Sequence, residues 1–262
     1  MRFGICSSPD QAPDLAQAGY DYLEWPLRTI AELDDGAYAT LLAEARKLPI
    51  RAEAFNVMLP GTIKVVGPEV DLSRVRAYLS SAFARAAELG GQVVVFGSGG
   101  SRRVPEGWSQ EDALAQFDQA CALAGEQAAV HGLTIVVEPL NTGETNLINS
   151  VAEGRRVVER VGHPSVKVLS DLYHVGLEGE PFEDTAAAGE MLSHVHVSTV
   201  EGRGMPLPGR DEDVLERYLG AVQAAGYDGR MSVEGKWNLD EAVPGLTHLR
   251  DMWSRVSRGA GT

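Results

Sequence analysis

The feature that most constrains this chain is a unit that recurs from one end to the other. A stretch with helical spacing closes on a glycine, and a short apolar, β-rich run follows. Gly19 precedes the run 20–24, Gly90 and Gly91 precede 92–96, Gly132 precedes 133–137, Gly162 precedes 166–169, and Gly226 precedes the run containing Met231. Glycine suits the left-handed position that ends a helix. One helix is expected instead to stop at Pro49, just before the run 51–55. Helix starts are also marked: Ser8-Pro9-Asp10-Gln11 has capping-box spacing with proline at the first helical position, and Ser109 and Ser150 open similar segments. The stretches 75–89 and 113–130 between them are amphipathic and rich in alanine.

Eight strands are expected, near 2–6, 20–25, 51–56, 92–97, 133–138, 166–171, 193–198 and 230–234. Runs such as QVVVF and LTIVV are almost continuously apolar, the pattern of strands buried on both faces in a parallel sheet under helices. Eight such units in 262 residues point to an α/β fold, a single (β/α)8 TIM barrel over residues 1–262. The length alone would also fit two smaller domains. A doubly wound open sheet is the alternative topology, but no GxGxxG follows the first strand to support dinucleotide binding.

Composition narrows the partners. The net charge of −14 repels phosphate backbones, so nucleic acid is not an expected partner, although a local basic pocket for a small phosphorylated substrate stays open. No apolar run approaches the roughly 20 residues of a membrane span. The N-terminus lacks a signal-peptide pattern, and Cys6 and Cys121 are the only cysteines, so a reducing cytoplasm is expected.

In a barrel of this kind the site lies at the C-terminal strand ends. The fifth run ends at Glu138, the sixth at Asp171, the seventh carries His194 and His196, and the eighth ends at Glu234. One such carboxylate often only caps the next helix; four consecutive strands delivering ligand types to one end argue for a shared metal. Three carboxylates and one histidine suit manganese, magnesium or cobalt better than a closed zinc site. His194 and His196 share a side of their strand, and His196 lies nearer the ligand end, which leaves His194 as a deeper, hydrogen-bonded core histidine. Two long loops, 56–70 and 97–109, stand out. In the second, GSGGSRR offers backbone N–H groups with Arg102 and Arg103 as anion contacts, against the reading of a plain surface loop. Trp25, Phe55, Asn56 and Trp108 either shape a ligand pocket or simply pack.

The segments VVEPLN (136–141), SDLYHVG (170–176) and HVHVS (194–198), with the late Glu234, resemble the xylose-isomerase-like sugar isomerase/epimerase barrels, in order and spacing over essentially the whole chain. That group includes ketose 3-epimerases, hydroxypyruvate isomerases, inosose dehydratases and, more distantly, abasic-site endonucleases. The resemblance implies that Glu138, Asp171, His196 and Glu234 hold one divalent ion, manganese first, with magnesium, cobalt or zinc as alternatives. It implies that Glu138 and Glu234 also move protons, and that Glu144, His174 and Arg203 bind a carbohydrate substrate. Related barrels are often dimers or tetramers, so a homo-oligomer is left open. Two departures matter. Arg203 lies one residue further from His196 than in the tagatose-type epimerases, and the common HVKD ending of the seventh strand reads HVST here, without its acidic residue. The nuclease branch needs three zinc ions and extra histidines, yet the third and fourth strands contain none, and His131, His163 and His248 fall in or beside helices.

The expected chemistry is proton transfer next to a carbonyl through a metal-stabilised enediolate, giving epimerisation or aldose–ketose isomerisation. A dehydratase or 3-keto-sugar lyase would use the same constellation, and a non-catalytic sugar-binding barrel is the rival of another class.

Overall fold

The computed structural model describes residues 1–259. Eight strands, β1 (Arg2–Cys6), β2 (Tyr22–Pro26), β3 (Ala52–Asn56), β4 (Val93–Phe96), β5 (Thr134–Val137), β6 (Val166–Asp171), β7 (Leu192–Val197) and β8 (Arg230–Val233), pair in parallel in chain order. Strand β1 also pairs with β8, from Arg2 opposite Arg230 to Ile5 opposite Val233, so the sheet closes and the open doubly wound alternative is excluded.

The local rules that generate this repeat are visible. Gly19, Gly90, Gly132, Gly162 and Gly226 all adopt positive φ, between 61° and 100°. Ser109 Oγ accepts from the Asp112 amide at 3.2 Å, and Ser150 Oγ accepts from the Glu153 amide at 3.1 Å, each capping the helix it opens. The helix Asp35–Ala45 stops four residues before Pro49 rather than at it. The chain leaves the helix through a tighter turn, with the Leu48 amide donating to Ala45 O, because the residue before a proline is sterically pushed out of the α region.

Strand alternation sorts the side chains into two cores. Ile135, Val137, Val168, Val195, Val197 and Val233 face outward and pack in the large core with helix residues such as Phe83, Phe117 and Leu219. Fully burying each such side chain stabilises the fold by about 1.5–3 kcal/mol. The inward parity of strands β2 to β6 fills the barrel with Tyr22, Ala54, Val93, Val95, Val136 and Leu169, a separate small cluster. Gly4 makes room for this filling: a Cβ there would collide with the Tyr22 ring. The Tyr22 hydroxyl passes over β1 to Ser232 Oγ on β8 at 2.8 Å.

The two ends of the barrel differ. At the N-terminal end, Glu53 accepts from Arg2 and from Arg230, the latter at 2.8 Å, and Arg230 also reaches Gln92. At the C-terminal end lie all five non-glycine residues with positive φ among the described residues: Val57, Ser98, Ile148, Arg203 and Asp211, in the loops after β3, β4, β5 and β7. No helix among the described residues is long and apolar enough to cross a membrane.

Candidate metal centre

The parity that puts Val136 and Leu169 inside the barrel puts the residues two positions on, Glu138 and Asp171, inside and one layer higher. His196 and Glu234 reach that same layer, above His194 and Ser232. Ligand atoms of Glu138, Asp171, His196 and Glu234 all lie within 4.8 Å of one another. His196 Nδ1 is 3.2 Å from both Glu138 Oε1 and Glu234 Oε2. Asp171 also caps a helix: one carboxylate oxygen accepts from the Tyr173 amide at 2.9 Å, opening the helix Leu172–Glu178, while the other faces the cluster. Its capping and its place in the cluster are compatible because they use different oxygens.

Packing three carboxyls together away from water shifts them. Burial, reinforced by the Glu234 charge and opposed by the His196 hydrogen bond, raises Glu138. Burial likewise pushes Asp171 up to about 6, against the pull of His196. Glu234 goes the other way: burial would raise it, but His196 and the Arg203 guanidinium hold it down to about 2. Burial alone would lower His196, yet Glu24 and Glu234 keep it well above the ordinary histidine range. Three buried carboxyls around one imidazole, once their protons are displaced, supply the negative charge that a divalent ion would offset.

The other expected site residues ring this cluster. Arg203 Nη2 donates to Glu234 Oε2 at 2.6 Å and lies 3.4 Å from Asp171 Oδ2, and its Nη1 lies 3.7 Å from Glu144 Oε1. Its guanidinium also stacks 4.6 Å above the Tyr173 ring. The turn that presents it is fastened by Thr199, the residue in place of the missing acid of the HVST ending. Thr199 Oγ1 accepts from the Gly204 amide at 2.8 Å and donates to Glu201 O at 2.7 Å. His174 is buried, and its Nδ1 accepts from the Asn141 amide at 3.1 Å. Its proton therefore sits on Nε2, which has no hydrogen-bond partner and lies 3.6 Å from Asp171 Oδ2. An unpaired donor beside the cluster is what an oxygen-rich ligand would satisfy. Glu144 is half exposed and accepts from Asn141 Nδ2 at 3.2 Å.

Arg102 must be corrected. It is fully buried, not an anion contact in a surface loop: its guanidinium donates to Phe96 O at 3.2 Å and Glu138 O at 2.6 Å, and stacks against Phe117. The GSGGSRR segment folds inward as the short helix Gly99–Arg102 and ties the ends of β4 and β5 together. Arg103 is exposed but is directed to Gly143 O at 3.1 Å, bracing the neighbouring loop. Trp25 and Phe55 pack edge-to-face in the outer core and Trp108 lies against it, whereas Asn56 does face the site, donating to Glu234 Oε1 at 2.9 Å.

Sequence reasoning missed Glu24. It lies on β2, fully buried, and its two oxygens meet His194 Nε2 at 2.9 Å and His196 Nε2 at 3.0 Å. Burial would raise its pKa, but the two imidazoles outweigh that and hold it well below the usual carboxylate range. The available signal was a lone carboxylate inside the apolar run YLEWP. Cys6, Glu24 and His196 form a second group capable of holding an ion, sharing His196 with the first. The Cys6 thiol is pushed well up by burial and by the neighbouring Glu24 and Glu234 carboxylates.

With this geometry in place, residues 13–252 match the model of the xylose isomerase-like TIM barrel family. The chain belongs to that family. It is 31% identical to the D-psicose 3-epimerase of Agrobacterium fabrum over 104 residues, covering 39% of this chain and 35% of that protein, so this match spans about a third of the relative's length. It is 26% identical to the L-ribulose 3-epimerase of Mesorhizobium japonicum over 250 residues, 91% of this chain and 80% of that one. Among solved structures, a D-psicose 3-epimerase crystallised in the presence of D-fructose superposes with a TM-score of 0.83 at 20% identity, covering 97% of this chain and 99% of that one, which shows a shared fold.

Proposed function

We propose that this chain is a divalent-metal-dependent ketose epimerase or isomerase, with residues 1–262 acting as one catalytic unit. The observation that carries the reading is the meeting of Glu138, Asp171, His196 and Glu234 within 4.8 Å at the mouth of the barrel. The family and the sugar epimerases among its relatives support it. Three carboxylates and one imidazole form a mostly hard donor set that fits Mn2+ first, with Mg2+, Co2+ or Zn2+ as alternatives. Bound there, the ion would supply Lewis acidity toward a carbonyl oxygen.

The chain's own residues do the rest. Glu138 and Glu234 come from β5 and β8 and flank His196, so two carboxylates approach one substrate from different sides, one to take a proton from carbon and the other to return it. Delivery to the opposite face gives epimerisation; return to the adjacent carbon gives aldose–ketose isomerisation. His174 Nε2–H and Arg203 donate to sugar oxygens, and Glu144 accepts from a hydroxyl. The mouth is acidic, Arg102 is buried in structure, and Arg203 is shared among Glu234, Asp171 and Glu144. That balance favours a neutral sugar over a sugar phosphate.

The test is solvent exchange. The protein loaded with Mn2+ is incubated in D2O with a panel of free ketoses and their phosphates, and deuterium at the carbons flanking the carbonyl is followed by NMR. Exchange into a free ketose is expected, and the labelled product separates epimerase from isomerase. No exchange into any ketose, or no bound metal on elemental analysis, overturns the reading.

A further inference from the structure

Glu24 stands outside the expected site, yet it touches the expected ligand His196 directly. It is the only charged residue of β2, it is fully buried, and each of its oxygens meets a different buried imidazole, His194 at 2.9 Å and His196 at 3.0 Å. The two rings stand edge to face, 5.0 Å apart. We propose that Glu24 is a positioning residue of the metal centre, holding the His196 proton on Nε2 so that Nδ1 alone faces Glu138 and Glu234 as the ligand atom. The inference rests on the metal-centre reading above.

The argument is one of donor count. An ionised carboxylate only accepts hydrogen bonds, so each histidine nitrogen that touches it must carry a proton. Both contacts are made by Nε2. When a cation takes the place of the proton that Nδ1 shares with Glu138 Oε1 and Glu234 Oε2, each at 3.2 Å, His196 keeps the N–H that Glu24 holds on Nε2 and presents the Nδ1 lone pair as the ligand atom. A carboxylate behind a ligating histidine fixes the ring's tautomer and orientation and raises its basicity. His194 supplies the second N–H that keeps the buried carboxylate satisfied. Its own Nδ1 has no partner, so the ring is held from the Glu24 side.

Replacing this carboxylate by an amide breaks the symmetry of the arrangement. Glutamine at position 24 presents one oxygen and one NH2. The histidine that faces the NH2 must accept at Nε2 and move its proton to Nδ1. If that histidine is His196, its ligand nitrogen is blocked; if it is His194, His196 keeps a neutral and weaker partner. Either way the metal is held less well.

The experiment measures Mn2+ affinity of wild type and Glu24→Gln by calorimetry, with circular dichroism reporting the fold. The expected result is a folded variant whose Mn2+ Kd is about 10–100-fold weaker, the usual effect of losing such a partner. A folded variant that binds Mn2+ within about twofold of wild type overturns the proposal, whatever its melting temperature, because a merely structural role leaves Kd unmoved. A second measurement needs no variant: 15N NMR of the wild-type imidazoles with diamagnetic Mg2+ bound. Protonated Nε2 and metal-shifted Nδ1 at His196 are expected, and the reverse pattern overturns the proposal. Wild-type protein that binds no divalent ion overturns the metal-centre reading and this proposal together; wild type that binds beside an unaffected variant overturns this proposal alone.

Discussion

Replacing Arg102 by methionine tests whether the loop after β4 is a ligand contact or a structural tie. The substitution keeps an unbranched stem under the Phe117 ring and removes the guanidinium. Two donated bonds disappear, at 3.2 Å to Phe96 O and 2.6 Å to Glu138 O. Burial pulls the guanidinium down to about 10, so it is charged at neutral pH and both bonds are charge-assisted. Such bonds contribute about 1.5–3 kcal/mol each, a range already net of desolvation, so the loss is about 3–6 kcal/mol. That is a large share of the roughly 5–15 kcal/mol that holds a domain together. At about 2–4 °C per kcal/mol for a chain near this size, the apo protein should melt on the order of 10 °C lower. Arg103→Met is the control: its exposed side chain makes a bond to Gly143 O at 3.1 Å, and its loss should stay within about 1 kcal/mol. Both variants are compared by urea unfolding and calorimetry without metal. A value for Arg102→Met within about 1 kcal/mol of the control refutes the structural reading. So does a phosphate-induced rise in the wild-type melting temperature that the Arg102 variant lacks.

Four further outcomes follow from particular contacts. Glu234→Gln should abolish deuterium exchange into substrate while circular dichroism stays native; a variant with full exchange removes Glu234 from proton transfer. Gly97→Ala should fold normally yet bind Mn2+ and turn over poorly, because the new methyl meets the movable Glu138 carboxylate rather than backbone; unchanged kinetics would show that Glu138 has room to spare. Burial raises Glu180 to about 7, so the folded state holds its proton more tightly than the unfolded chain. Stability is therefore favoured at acid pH and falls as pH rises toward that value, and Glu180→Gln should gain on wild type in melting temperature between about pH 5 and pH 8. A difference that is flat across the window removes that coupling. Thr199→Val should leave the fold intact but loosen the turn that carries Arg203, raising KM more than it lowers kcat.

The barrel was legible because two periodicities are written into the chain together: glycine-closed amphipathic helices and strands apolar on both faces. The ligand layer was legible for the same reason, since strand parity alone carries Glu138, Asp171, His196 and Glu234 to one level. Glu24 was hidden because β2 contributes to that layer from the far side of the closed sheet, and its partners are 170 and 172 positions away. Arg102 was misread for a related reason. Glycines and arginines in a loop look solvent-facing until the folded chain offers two unpaired carbonyls at the strand ends. Local chemistry predicts local structure well, whereas a buried ion's partner is set by closure of the whole sheet.

The unequal ends of the barrel have a consequence for how such a protein diversifies. Ionic stitching through Glu53 secures one rim, while the unfavourable backbone conformations, each costing on the order of 1–3 kcal/mol, collect in the loops of the other. Loop exchange after β3, β5 or β7 therefore discards strained segments, provided that the Arg102 tie in the loop after β4 is left in place. A library confined to those loops can sample new substrate shapes on an undisturbed chassis, and many of its members should be more heat-resistant than their parent.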